Sequence, residues 1–121
     1  HNYPEHCVVY TGTHDNETIS GWFKGIPKEE QQMARDYLCD HATPAKHLYH
    51  SFISLVMRSK AELCIIPMQD LLGLDNAGRM NTPSTVGDNW KWRMLKGSLT
   101  KKKAKELKEL AKFYARLEID N

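Results

Sequence analysis

The chain has 121 residues, 40% hydrophobic and 26% charged, which is long enough for a modest core and ordinary for a globular domain. Its formal charge of +2 is too small to mark a nucleic-acid or membrane-surface binder. No apolar run approaches the roughly 18 residues of a membrane-spanning helix.

Three cysteines are an odd number and cannot all pair within one chain. Cys7 and Cys64 stand in apolar runs, which favours buried thiols in a reducing, cytoplasmic setting. No basic segment precedes an apolar stretch, so no secretory signal is read. The opening at His1, without Met, is expected of the C-terminal part of something longer.

Residues 1–5 are polar, with Pro4 opposing early pairing. Residues 7–10 are apolar without interruption, and Gly12 halts the run before His14, Asp15 and Asn16. This predicts a buried strand of the parallel type. Its carboxyl end, where ligands sit in α/β sheets and barrels, presents those three side chains. A carboxylate beside an imidazole there suits sugar hydroxyls, a metal ion or a proton transfer. The plain alternative is that Asp15 and Asn16 only cap the short helix that follows over 16–23.

That helix turns Trp22 and Phe23 inward and ends at Gly25. Pro27 then suits the first turn of another helix, and Glu29 and Glu30 suit its positive end. Met33, Ala34, Tyr37 and Leu38 compose its inward face, and it stops near Cys39. Thr43 and Pro44 pair an N-cap with a proline at the first helical position. They predict a helix over 44–59, with Leu48, Phe52, Leu55, Val56 and Ser59 at helical spacing.

Residues 63–66 read as a second buried strand, stopped by Pro67. Strand, helices and strand make a crossover, so the two strands are predicted parallel. Residues 70–73 are one helical turn at most. Residues 75–88 are rich in Gly, Asn, Thr, Ser and Pro, and a loop this long is usually functional when it is ordered. Trp90 and Trp92 alternate with Lys91 and Arg93, which favours a packed strand; the other reading is a stacking ligand. Thr100 caps a last helix reaching about Glu118, with Leu107, Leu110, Ala111, Tyr114 and Leu117 as its stripe. Lys101, Lys102 and Lys103 oppose the dipole of its first turn and read as a solvated face.

Two segments decide the matter together. One is Tyr10-Thr11-Gly12-Thr13-His14-Asp15-Asn16-Glu17-Thr18. The other is Pro67-Met68-Gln69-Asp70-Leu71-Leu72-Gly73-Leu74, continuing into Arg79-Met80-Asn81-Thr82-Pro83-Ser84-Thr85 and Asn89-Trp90-Lys91-Trp92-Arg93. In this order, separated by a helical crossover, they resemble the amylomaltases, the 4-α-glucanotransferases of glycoside hydrolase family 77. The opening His1-Asn2-Tyr3-Pro4-Glu5 is similar to the segment leading into the first motif there.

The resemblance implies an α/β fold class, the C-terminal part of a (β/α)8 TIM barrel. Residues 7–10 would be strand 7, residues 63–66 strand 8, and the helix after Thr100 the last helix. Residues 1–121 would then be an incomplete domain. The implied activity passes α-1,4-glucan segments between maltooligosaccharides with retention, through a covalent glycosyl-enzyme intermediate, and uses no metal or other cofactor.

Three carboxylates serve that reaction in the family. The Asp nucleophile and the Glu acid/base follow strands 4 and 5, upstream of this sequence. Asp15 matches the third, which makes it the catalytic candidate. His14, Arg79 and Asn81 become the substrate-binding candidates, with loop bracing as the alternative for Arg79 and Asn81. Trp90 and Trp92 look like sugar-stacking residues, and Asp70 is placed to orient a neighbour in the barrel mouth. The implied partners are maltooligosaccharides or α-1,4-glucans and the upstream remainder of the barrel, with neither nucleic acid nor membrane. The isolated chain, with open strand edges, is expected to self-associate.

Two rivals stand beside this reading. His14 and Asp15 with His41, His47 and His50 suggest a metal-dependent phosphohydrolase of the His-Asp type. That fold carries its pair on a helix in an all-helical core, whereas this pair follows a strand and a glycine. The second rival is a non-catalytic carbohydrate-binding or interaction fragment, since two of the three carboxylates lie outside the chain.

Overall fold

Val8–Tyr10 (β1) and Leu63–Ile65 (β2) pair in parallel, Val8 opposite Leu63, Val9 opposite Cys64 and Tyr10 opposite Ile65. The computed structural model describes residues 1–117. Parallel strands need a long crossover, and here it consists of helices, as the order of elements predicts. Side chains alternate across a strand, and the two faces of this pair differ sharply. Val9 is buried at 4% exposure, while Val8, Tyr10, Leu63 and Ile65 share the other face at 41–52%. The expectation of strands buried on both faces is thus met on one face only. An apolar run tells that both faces are suited to burial, not which elements cover them. Cys7 and Cys64 are half-buried rather than buried, and Cys39 is exposed; all three are free thiols. Burial pushes the Cys64 thiol above its ordinary value.

The first crossover helix, α1 (Ile19–Gly25), begins later than predicted because Asp15 and Asn16 do not cap it. Thr18 does, its hydroxyl accepting from the Gly21 amide at 3.1 Å. Asn16 instead closes the preceding turn, its Oδ1 accepting from the Thr13 amide at 2.7 Å. In α2 (Lys28–Leu38), Pro27 is the N-cap and Glu29 and Glu30 lie in the first turn. Cys39, at φ 54°, ends the helix in the left-handed region.

The inward face of α2 is out of phase with the predicted one. Met33 is 69% and Tyr37 50% exposed, and only Ala34 and Leu38 of the predicted stripe turn in. The other inward positions are polar. Gln31 Nε2 donates to the carbonyls of Phe23 and Ile26. Arg35 donates to the carbonyls of Asp40 and Thr43, with its guanidinium 5.5 Å from the Phe23 ring centroid. Both side chains satisfy loop carbonyls that burial would otherwise orphan.

The helix predicted over 44–59 divides into a 3-10 turn, Ala45–His47, and α3 (Tyr49–Met57). Thr43 is no cap; its amide donates to Asp40 Oδ1 at 2.9 Å, and Ser51 Oγ donates to Asp40 Oδ2 at 2.5 Å. The Ser51 hydroxyl first, then the Thr43 groups, hold the Asp40 carboxyl down from 3.8 to about 2. A depressed carboxyl stabilises the fold only when ionised. Its contribution is complete above pH 3.8 and fades as pH falls through about 2. Ser51→Ala is therefore expected to lower Tm at pH 7 and to lose most of that effect near pH 2. Melts of both proteins at the two pH values check this, and an equal loss at both would show that the carboxylate is not involved.

Phe23, Leu38, Leu48 and Phe52 form the main core cluster, with Ile19, Trp22, Ile26, Ala34 and Leu55 packed around it. Ile53 and Met57 extend the buried side of α3. The C-terminal end of α3 is closed from afar. Arg116 donates to the carbonyls of Met57, Ser59 and Ala61 at 2.6, 3.0 and 2.9 Å, filling acceptors that a helix end leaves open. After β2 comes a single turn, α4 (Met68–Leu71). A 3-10 turn, Asn76–Gly78, is the only regular element between α4 and the last helix. The predicted strand around Trp90 and Trp92 is absent: Trp90 adopts φ 61° and turns the chain.

The last helix, α5 (Lys101–Phe113), is capped by Thr100 as predicted and stops five residues short of the predicted end. Glu118 itself lies outside the described residues. Leu107, Leu110, Ala111 and Tyr114 are half-buried, and Leu117 is exposed. Lys103 departs from the solvated-face expectation. Its ammonium lies 5.7 Å from the Tyr49 ring centroid and its side chain is only 19% exposed.

Candidate active site

Both strands end in loops on the same side, and the two quoted motifs are these loops. Thr11 and Gly12 leave β1 and lead into the turn that carries His14 and Asp15. Pro67 stops β2, and the chain runs through α4 and the Asn76–Gly78 turn to Arg79 and Asn81. The second loop holds the first in place. Asn81 Nδ2 donates to Asp15 Oδ1 at 2.7 Å. Arg79 donates to the Asp15 carbonyl at 2.8 Å and, through Nε, to the Asn81 carbonyl at 2.9 Å. Asp15 Oδ2 faces His14 Nε2 at 3.3 Å.

The imidazole of His14 leans on Trp90, with ring centroids 5.0 Å apart and planes inclined by 38°. Trp90 is fixed by its amide, which donates to the Met80 carbonyl at 2.7 Å. Asn89 closes the same loop by accepting from the Thr82 amide at 2.8 Å. Beside this group opens a cleft of about 500 Å³, walled by Tyr10, His14, Glu17, Gln69, Arg79 and Trp90. His14 lines the cleft and Asp15 stands beside it, the two side chains about half exposed at 55% and 49%. A carboxylate held by one amide keeps acceptor capacity for hydroxyl donors.

The four site candidates named from the sequence, His14, Asp15, Arg79 and Asn81, therefore meet in one place. Both Arg79 bonds go to backbone carbonyls, so its geometry is that of a brace. Asn81 touches the carboxylate itself. Among the described residues no three His, Cys, Asp or Glu side chains converge as a metal ion would need. The pair sits on a turn after a strand, which removes the His-Asp phosphohydrolase rival.

The match to a known family spans both loops. The family model described as 4-alpha-glucanotransferase, glycoside hydrolase family 77, covers residues 1–100. The chain belongs to this family.

Its relatives include the chloroplastic/amyloplastic 4-alpha-glucanotransferase DPE1 of Oryza sativa subsp. japonica, 43% identical over 121 residues. That match takes in 97% of this chain and 20% of the relative. The 4-alpha-glucanotransferase of Streptococcus pneumoniae serotype 4 is 39% identical over 119 residues, 97% of this chain and 23% of its own. Among solved structures, the amylomaltase from Streptococcus agalactiae in complex with acarbose superposes with a TM-score of 0.87 at 38% identity. The overlap is 95% of this chain and 23% of that one. The chain thus spans about a fifth of the length of the relatives it matches. None of its described helices is long and apolar enough to cross a membrane.

Two residues of this family-77 segment carry more of the site than their sequence pattern suggests. Its alternation with charged neighbours favours core packing for Trp90, yet Trp90 is 54% exposed and carries His14. Its left-handed φ broke the alternation on which the strand rested. Asp70 is 2% exposed and joins the two loops. The available signal was a lone carboxylate in the otherwise uncharged stretch from Met68 to Leu72.

Proposed function

We propose that this chain is the part of a 4-α-glucanotransferase barrel built on its seventh and eighth strands, an incomplete domain over residues 1–121. We further propose that it serves a retaining transfer of α-1,4-glucan segments between maltooligosaccharides. The observation carrying this reading is the Asp15 carboxylate, held by Asn81 and flanked by His14 at the rim of the cleft. The acarbose held by the solved amylomaltase supports glucans as the ligand class.

Glycosyl transfer passes through an oxocarbenium-like transition state in which the sugar ring flattens. Its 2- and 3-hydroxyls move and become more acidic. An ionised Asp15 accepting from both binds the distorted ring better than the relaxed chair, and only such differential binding raises the chemical rate. His14, supported by Trp90, donates to the same hydroxyls. Trp90 offers its exposed face to a sugar ring. Asn81 and Arg79 keep the Asp15 loop in place, so their contribution to substrate binding runs through it. The nucleophile and the acid/base come from the upstream remainder of the barrel, which also covers the bare face of Val8, Tyr10, Leu63 and Ile65.

The test uses the full-length protein and the 121-residue chain side by side, with maltotriose as substrate. The full-length protein is expected to release glucose and build longer maltooligosaccharides. The isolated chain is expected to do neither and to elute on a sizing column with light scattering as an associated species. Absence of transfer by the full-length protein would leave the carbohydrate-binding rival. Glucose release by the purified short chain would overturn the assignment of the missing carboxylates.

A further inference from the structure

We propose that Asp70 is a positioning residue that sets the place of Asp15 beside the cleft by tying both ends of its loop. The proposal rests on the reading of Asp15 given above. Asp70 lies on α4, directly after Pro67 stops β2, and at 2% exposure it is one of the two most deeply buried large side chains. Both of its oxygens are taken. Oδ2 accepts from the Thr11 hydroxyl at 2.6 Å, and Oδ1 accepts from the Ile19 amide at 2.8 Å.

These two partners have a particular relation to the site. Thr11 is the first residue after β1, and Ile19 is the first residue of α1. Residues 12–18 between them carry His14 and Asp15. One carboxylate from the opposite loop therefore fixes where the segment leaves the sheet and where it enters the helix. Thr18 caps α1 at the Gly21 amide and Asp70 takes the Ile19 amide which that cap leaves open, but the Thr11 bond lies outside the helix and capping does not call for it. Burying an ionisable group is costly unless it is fully hydrogen-bonded, and a neutral side chain could satisfy one amide.

The same downstream segment then makes two more ties, farther out along the loop. Asn76 donates to Glu17 at 2.7 Å, and Asn81 donates to Asp15. Gly21 lets Asn76 approach, since a Cβ there would lie 2.2 Å from its side-chain oxygen. Asp70 is the buried anchor of this series, and Asn81 is its exposed end. Neither Asp70 oxygen is turned to His14 or Asp15, so its influence passes through the backbone of the loop.

The experiment compares Asp70→Asn, Thr11→Val, Asp15→Asn and the Asp70/Asp15 double variant in the full-length protein, well below each melting temperature. Asp70→Asn keeps the shape and the acceptor for the Ile19 amide, but it removes the charge that strengthens both bonds and forces the Thr11 hydroxyl to turn round and accept from Nδ2. It is expected to lower kcat for maltotriose by about 10²-fold, the scale of a displacement near 1 Å, with little change in KM. Thr11→Val frees one end of the loop and is expected to show a smaller loss of the same kind. In the Asp15→Asn background, Asp70→Asn is expected to add little, because the group it positions is already gone.

Loss of thermal stability with unchanged kcat in the folded variant would overturn the proposal. So would fully additive losses in the double variant. If Asp70→Asn does not fold, Thr11→Val carries the same test, and an unchanged kcat there overturns it. Wild-type rates in Asp15→Asn would instead strike the reading of Asp15 itself, so the two failures are distinguishable.

Discussion

Asp15→Asn, made in a full-length protein carrying this segment, is expected to lower kcat for glucan transfer by about 10²–10³-fold. The substitution is close to isosteric. Asn81 still finds an oxygen to donate to, and the Arg79 bond to the residue 15 carbonyl is untouched. What disappears is the negative charge and half of the acceptor capacity turned toward the sugar. Those groups matter most when the ring flattens, so maltooligosaccharide affinity is expected to stay within about tenfold. Turnover and calorimetric affinity on the same preparation test both halves. A loss of binding as large as the loss of rate would mean that Asp15 holds the ground state equally well.

Phe52→Ala is expected to cost about 3–5 kcal/mol of stability. The Phe52 ring meets Trp22 edge-on with centroids 5.8 Å apart, and Phe23 at 6.0 Å. Both partners sit on α1, the helix that begins where the Asp15 loop ends. Truncation removes the contact through which α3 supports α1 and leaves a void among Phe23, Leu38 and Leu48. Denaturant unfolding with the slope held constant measures the effect. A change below about 0.5 kcal/mol, the size of an ordinary surface substitution, would show that the cluster is not the core of this segment.

The parts of the fold that could be read from the sequence are those set by local chemistry. Residues 7–10 and 63–66 are too apolar and too short for anything but strands, and helices between them force parallel pairing. Thr100 has the residue type and spacing of a cap, and it is one. The errors share a cause: side-chain-to-backbone partners that apolar periodicity does not reveal, most of them a few residues away and Asp70 51 residues away. Asp15 and Asn16 have the composition of caps, but Thr18 and Asp70 reach the α1 amides instead. Met33 and Tyr37 look like core, but Gln31 and Arg35 take the inward positions because loop carbonyls need their donors.

The site divides the same way. His14 and Asp15 were visible as a polar turn after a strand, and the family resemblance supplied Arg79 and Asn81. No local pattern told that Arg79 would spend its guanidinium on carbonyls, that Trp90 would lean on His14, or that Asp70 would be buried. Each of these depends on the loops after two different strands standing side by side.

That dependence has a kinetic meaning. Asn81 meets Asp15 across 66 residues of chain, and Thr11 meets Asp70 across 59. Closing such a loop carries an entropic cost that nothing repays until the ends touch. The helices of the crossover form from neighbours in sequence and need no such closure. Contact separation alone thus favours an order of assembly in which the helices precede the strand pair and the Asp15 corner. A chain can therefore hold nearly all of its secondary structure while Asp15 still has nothing to hold it in place.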